Sequence, residues 1–240
     1  MITIRRSAER GHANLGWIDS YYTFSFAGYH DEAHMGFRAL RVINDDRIAP
    51  GRGFGAHAHR DMEIITYVLE GSIAHRDSMG EVHTIGRGTA QVMSAGTGVI
   101  HSEFNGSDQL PGHFLQIWIE PAFEDVEPSY QQISCGPEEK RGRLQLLARP
   151  REGAATDAAG KEVASIQQNA FVYASELGSG ERVVHTAAPG RHAWVQVARG
   201  NMLLNGEALA EGDGAAVNDE HTLTLTGGTG GVEFLLFDLA

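Results

Sequence analysis

Short apolar runs, each cut off within a few residues by glycine or proline, set the strongest limit on what this chain can fold into. Ile64–Leu69 ends before Gly71, Ala90–Met93 before Gly96, Phe114–Ile119 before Pro121 and Trp194–Ala198 before Gly200; Val232–Leu239 follows Gly231. The runs are rich in β-branched and aromatic residues and are too short for amphipathic helices. They read as strands joined by tight turns in an all-β sandwich or barrel. Thirty glycines in 240 residues supply the turns. The Ala-rich stretch Glu152–Ser165 is interrupted by Gly153 and Gly160 and reads as a loop with at most a helical turn.

One architectural unit is used twice. Tyr67-Val68-Leu69-Glu70-Gly71-Ser72-Ile73 and Gln196-Val197-Ala198-Arg199-Gly200-Asn201-Met202 share an order: apolar strand, charge, glycine, small polar residue, new strand. Gly86-Arg87-Gly88-Thr89-Ala90 is echoed in the same way by Gly212-Asp213-Gly214-Ala215-Ala216. The offsets, 129 and 126 residues, are nearly equal, which implies two similar β domains. Pro121, Pro128 and Pro137 sit among the charges of Glu124, Asp125, Glu138 and Glu139, marking the boundary. The expected domains are residues 1–135 and 136–240.

Charge and cysteine usage remove several function classes. Lys and Arg total 19 against 31 Asp and Glu, a formal charge of −12. That balance argues against direct binding to nucleic acid or to an anionic membrane surface. The single cysteine, Cys135, excludes a disulfide framework and a Cys-rich zinc module and fits a reducing compartment. No stretch approaches the roughly 20 apolar residues of a membrane helix. Residues 1–16 carry Arg5, Arg6 and Arg10 but no apolar run of signal-peptide length. A soluble, cytoplasmic protein is expected.

The chemistry concentrates in the first half. His57-Ala58-His59 places two imidazoles on one face of a strand, because residues i and i+2 share a face. His101-Ser102-Glu103 repeats the relation with an imidazole and a carboxylate. Two such strands face to face would gather three imidazoles and one carboxylate into a mononuclear metal site with open positions for ligand. Glu63 shares the parity of His57 and His59, so alternation alone does not exclude it as the carboxylate. In the second half, the offsets map His57 and His59 to Thr186 and Ala188, and His101 to Gly227. His185, His192 and His221 lack the His-x-His spacing, so no metal is expected there. His75 and His83 read as solvated residues around a turn with Asp77, Met79 and Gly80. Trp17, Phe24 and Phe26 read as core or pocket wall. Gln116 and Trp118 share one strand face and Leu115 and Ile117 the other, and either face could line the interior.

These residues carry a resemblance. Gly51-x5-His57-x-His59-x3-Glu63 with Gly71, and Gly88 through Gly96-Thr97-Gly98-Val99-Ile100-His101 with Asn105, resemble the two cupin motifs. More closely, His57–Glu63, Tyr67–Gly71 and Met93–Glu103 resemble the pirin family. Arg10-Gly11-His12, Thr23–Phe26 and Leu115–Trp118 fit its bacterial members with flavonol dioxygenase activity. Seven residues separate Glu63 from Gly71 where the general cupin pattern has six, and Ser94 stands near the place of a proline. Both departures resemble the pirin version.

The resemblance implies a bicupin of two jelly-roll domains. It implies one divalent transition metal on His57, His59, His101 and Glu103, with Glu103 rather than Glu63 as the carboxylate. Iron(II) is expected, with copper, nickel, zinc, manganese or cobalt admissible. The implied substrates are a flavonol and O₂, with ring opening, release of carbon monoxide, and Glu103 as base toward the 3-hydroxyl. Phe24, Phe26, Gln116 and Trp118 are the expected pocket walls. Eukaryotic pirins are redox-responsive transcription cofactors, so the resemblance also implies an alternative regulatory reading with a protein partner.

Overall fold

The structure, a computed structural model, describes residues 1–77, 82–152 and 155–240. The first strands in chain order are β1 (Ile2–Arg5), β2 (Gly11–Asn14), β3 (Ile18–Tyr22), β4 (Leu40–Ile48), β5 (Gly53–His59), β6 (Glu63–Glu70) and β7 (Ser72–Asp77). There follow β8 (Val82–Gly86), β9 (Thr89–Ser94), β10 (Val99–Asn105), β11 (Gly112–Ile119), β12 (Ser129–Ser134), β13 (Gln145–Pro150) and β14 (Ala164–Ile166). The last are β15 (Ala170–Leu177), β16 (Arg182–Thr186), β17 (His192–Leu204), β18 (Glu207–Ala210), β19 (Gly214–Val217) and β20 (Thr222–Leu239). The expected all-β architecture is therefore what the chain adopts. No helix among the described residues is long and apolar enough to cross a membrane.

Backbone proximity divides the chain into two units. The first-half unit, residues 11–134 with 166–168, contains two antiparallel sheets. The larger runs β12-β9-β6-β11-β4-β3-β2 and the smaller β5-β10-β7-β8. Ile18, Ile48, Val68 and Phe114 of the larger sheet pack with Ile73 and Ile85 of the smaller. Each such side chain contributes about 1.5–3 kcal/mol on burial. The second-half unit is a sheet in the order β1-β19-β17-β20-β15-β13-β14, with β16 on β20 and β18 on β17. Its core includes Val195, Val197, Leu204, Phe234 and Leu236.

This division differs from a cut at 135/136 in Cys135, in residues 166–168 and, most of all, in its first ten residues. Met1–Arg10 belong to the second-half unit because β1 pairs antiparallel with β19, Ile2 opposite Val217 and Arg5 opposite Gly214. The pairing satisfies a strand edge that would otherwise be open, and chain order gives no hint of it. The internal echo has a physical basis. Gly71 (φ 72°) ends β6 and lets the chain pass to β7 in the other sheet; Gly200 (φ 77°) sits at a register shift within β17. At both positions a side chain would run into a neighbouring carbonyl, of Pro111 and Gly231 respectively.

His75 corrects an expectation. It is a buried residue of β7 rather than a solvated turn residue. Met79 and Gly80 of the expected turn lie outside the described residues.

Candidate metal centre and its cavity

β5 and β10 pair antiparallel with His101 opposite His57 and Val99 opposite His59. Alternation on β10 turns His101 and Glu103 inward and leaves Ile100 and Phe104 exposed. Ligand atoms of His57, His59 and His101 all lie within 4.8 Å of one another. The Nε2 atoms of His57 and His101 are 3.0 Å apart.

Hydrogen bonds assign the ring protons. His57 Nδ1 is 2.8 Å from the Gly55 carbonyl, an acceptor only, so Nδ1 carries the proton and Nε2 the lone pair. His101 Nδ1 is 3.3 Å from His75 Nδ1, and His75 Nε2 is 3.3 Å from Asp77 Oδ2. With Asp77 accepting from His75 Nε2, the lone pair of His75 Nδ1 faces both His101 Nδ1 and, also at 3.3 Å, Gln91 Nε2; where His101 donates to it, His101 Nε2 is left with its lone pair. Burial, reinforced by the neighbouring imidazoles, pushes His101 down to about 3 and His59 to about 4. Both rings are therefore neutral donors at physiological pH. His59 Nε2 is buried and has no hydrogen-bond partner. Converging imidazoles, one with an orphaned nitrogen, fit a divalent cation and fit little else.

Glu103 is cradled by amides. Gln116 Nε2 donates to its Oε2 at 2.9 Å and Gln91 Nε2 to its Oε1 at 3.3 Å. Thr66 Oγ1 lies 2.8 Å from Gln116 Oε1 and 3.4 Å from Glu103 Oε1, so its one proton goes to the glutamine. Asn44, Gln116, Thr66 and Gln91 stand opposite one another across β4, β11, β6 and β9, a polar row on the inner sheet face. Burial raises the Glu103 pKa, while His57 and the amide donors oppose it. Its carboxylate groups within 4.8 Å with His101 and His75, so two trios share His101.

Glu63 is elsewhere. Thr66 of β6 faces Glu103, so Glu63, three residues away, lies on the opposite face. There it accepts a 2.6 Å hydrogen bond from Ser94 Oγ, and burial pushes it up to about 7. The turn through Asp61 (φ 47°) breaks the alternation between β5 and β6. Parity shared with His57 and His59 along the sequence therefore carries no information.

A cavity of about 280 Å³ opens beside the imidazoles, near the lower end of small-molecule pockets. Trp17, Tyr22, Phe26, Phe54 and Trp118 give it aromatic walls, and His57, His59, Glu103 and Gln116 also face it. Of the four expected wall residues, Phe26, Gln116 and Trp118 line the cavity. Phe24 does not: it is buried in the core, 2% exposed. Gln116 and Trp118, not Leu115 and Ile117, are the inward pair.

Sequence reasoning read His75 as solvated and passed over Gln91, Thr66, Asn44 and Asp46. A signal existed for the last two, since Asn44-Asp45-Asp46 follows the apolar pair Val42-Ile43 within strand β4 and puts polar groups on both of its faces. Asp45 faces away and meets His113 at 2.7 Å, whereas Asn44 and Asp46 line the cavity.

Residues 3–119 match the family model described as Pirin, and residues 154–239 the one described as Quercetinase C-terminal cupin domain. A quercetin 2,3-dioxygenase of Escherichia coli (strain K12) is 44% identical over 100% of this chain and 99% of its own length. A pirin-like protein of Caulobacter vibrioides is 38% identical, covering 94% of each chain. The crystal structure of the bacterial pirin YhhW of E. coli in complex with nickel(II) matches with a TM-score of 0.90. Its sequence identity is 44%, and the match covers 100% of this chain and 99% of that one.

Proposed function

The chain belongs to the pirin family, and on that premise we propose that it is a metal-dependent flavonol 2,3-dioxygenase. It opens the heterocyclic ring of quercetin-like substrates with O₂ and releases carbon monoxide. The observation that carries this reading is the buried, orphaned Nε2 of His59, beside the lone pairs of His57 and His101 at an aromatic-walled cavity.

His57, His59, His101 and Glu103 would hold one divalent ion. Nickel(II) occupies the E. coli relative, and an imidazole–carboxylate set does not select among first-row metals; iron(II) is our proposal for the native ion. When bound, the ion supplies Lewis-acid and redox chemistry toward the substrate oxygens and O₂.

The remaining work belongs to side chains. Trp17, Phe26, Phe54 and Trp118 hold a flat aromatic substrate and keep water away. Glu103 takes the proton of the substrate's 3-hydroxyl on a carboxylate oxygen. The Gln116 and Gln91 amides stabilise its charged form and fix its orientation. His75, backed by Asp77, keeps the His101 proton on Nδ1.

The test is quercetin consumption with carbon monoxide release by iron(II)-loaded protein. Turnover by the wild type and none by His57→Ala is the expected result. An inactive metal-loaded wild type, indistinguishable from His57→Ala, would overturn the proposal.

A further inference from the structure

Two buried polar atoms remain without partners at the cavity after the metal site has taken its share. Asn44 Oδ1 is an acceptor on a residue 4% exposed, and Trp118 Nε1 is a donor shielded from solvent. Both residues line the cavity that His59 shares. Buried donors and acceptors in native proteins are paired almost without exception, so an orphan at a pocket wall marks where a ligand atom completes it.

No hydrogen bond joins Asn44 Oδ1 to either of its strand neighbours. Asn44 stands opposite Gln116 on β11, and that amide is engaged at both ends, by Glu103 and Thr66. On the other side Asn44 stands opposite Tyr22 of β3. Trp118 is fixed by edge contacts of its ring with His59, at 5.0 Å, and with Phe26, at 5.4 Å. Its Nε1–H is thus presented beside the metal site. Two residues along β4, Asp46 lines the same cavity and accepts from Ser20 Oγ, which extends the polar wall.

We propose that Asn44 is a specificity-determining residue, and Trp118 an affinity-supplying binding residue, for a polyhydroxylated aromatic ligand. Asn44 Oδ1 accepts a hydrogen bond from a phenolic hydroxyl remote from the metal-binding oxygens. Trp118 Nε1 donates to a ligand oxygen nearer the imidazoles. This deepens the flavonol reading and rests on it: the site selects hydroxylated flavonols over bare ones. The physical basis is that a site built to hydrogen-bond a hydroxyl rejects the analogue lacking it, because a buried acceptor is then left unpaired.

The experiment is an anaerobic titration of full-length, zinc(II)-loaded protein with quercetin and with 3-hydroxyflavone. The latter keeps the 3-hydroxyl and 4-carbonyl but has no other hydroxyl. The wild type is expected to prefer quercetin by about tenfold, the worth of one buried hydrogen bond. Asn44→Leu brings the ratio of the two affinities near one. Trp118→Phe, which keeps a ring and removes the donor, weakens both ligands by a similar factor and keeps the ratio. A folded Asn44→Leu protein with the wild-type ratio, or a Trp118→Phe protein with wild-type affinities, overturns the assignment; the second variant decides if the first fails to fold. If the wild type binds neither flavonol, the flavonol reading falls, and catechol and resorcinol are titrated instead. Binding weakened by Asn44→Leu then keeps the hydroxyl acceptor, and absence of binding overturns it.

Discussion

The two units carry opposite interiors on similar strands. In the first-half unit, the inner face of the larger sheet bears Asn44, Gln116, Thr66 and Gln91 in a row, facing Glu103, His101 and His75. In the second-half unit, Val195, Val197, Leu204, Phe234 and Leu236 fill the corresponding role with hydrocarbon. Both candidate metal clusters found among the described residues lie in the first-half unit. The second-half unit has a buried histidine too, but His185 is committed to Asp238, at 2.9 Å, which also takes Arg191. At the position offset from His101, a side chain on Gly227 would collide with the Gly178 carbonyl. A sheet interior of this kind can be packed for stability or opened for a ligand. Opening it requires the buried polar groups to find partners, within the protein as in the amide cradle of Glu103 or in a bound ligand.

The contrast can be broken at its strongest point by His101→Ala. Turnover should vanish, and metal affinity should fall beyond the roughly 100-fold upper range for outer partners, read by competition with a chromophoric chelator. The matched His185→Ala should leave metal stoichiometry untouched; equal metal loss in both variants would erase the distinction between the units. Next in size, Glu103→Gln should lower kcat for quercetin by about 10²–10⁴-fold, the usual contribution of a positioned base. A kcat within threefold of wild type would remove Glu103 from the chemistry.

Phe234→Ala, in the hydrocarbon interior, should cost about 3–5 kcal/mol in urea unfolding while metal affinity stays put. His75→Leu should weaken metal binding by about 10–100-fold, since it removes the acceptor that holds the His101 tautomer, and should also lower the unfolding midpoint, since it takes a partner from the buried Asp77 carboxylate.

The smallest effect is a pH dependence at Glu63. Burial raises its pKa to about 7 from 4.5, so the fold favours its protonated form. That stability is fully present below about pH 4.5 and is lost as pH rises through 7. Glu63→Gln does not titrate. Its melting temperature relative to wild type should therefore climb between pH 5 and pH 8, and a flat difference would mean the carboxyl is solvated.

The candidate site was legible in part for a definite reason. His57, His59, His101 and Glu103 come in i, i+2 pairs, and strand alternation is a local rule that needs no knowledge of the partner strand. Glu63 obeys the same arithmetic and is misplaced by it, because one left-handed residue, Asp61, separates its strand from that of the histidines. His75 gave no local signal: its neighbours Arg76 and Asp77 look like a solvated turn, and only the pairing of β7 with β10 sets it behind His101. The pocket walls divide likewise. Gln116 and Trp118 were a pair by alternation, but which face turned inward depended on the other sheet.

The sequence by itself determined the all-β class, the duplication, the histidine pairs and the absence of an equivalent ligand set in the second half. Each of these follows from short-range periodicity, turn chemistry or residue identity. Tertiary structure alone decided that β1 completes the sheet of the second-half unit, that Glu103 and not Glu63 faces the imidazoles, and that Asn44 and Trp118 meet at one cavity. These outcomes depend on strand register and on sheet facing sheet. Both are set by pairings between residues far apart in the chain, whose energies no local pattern records.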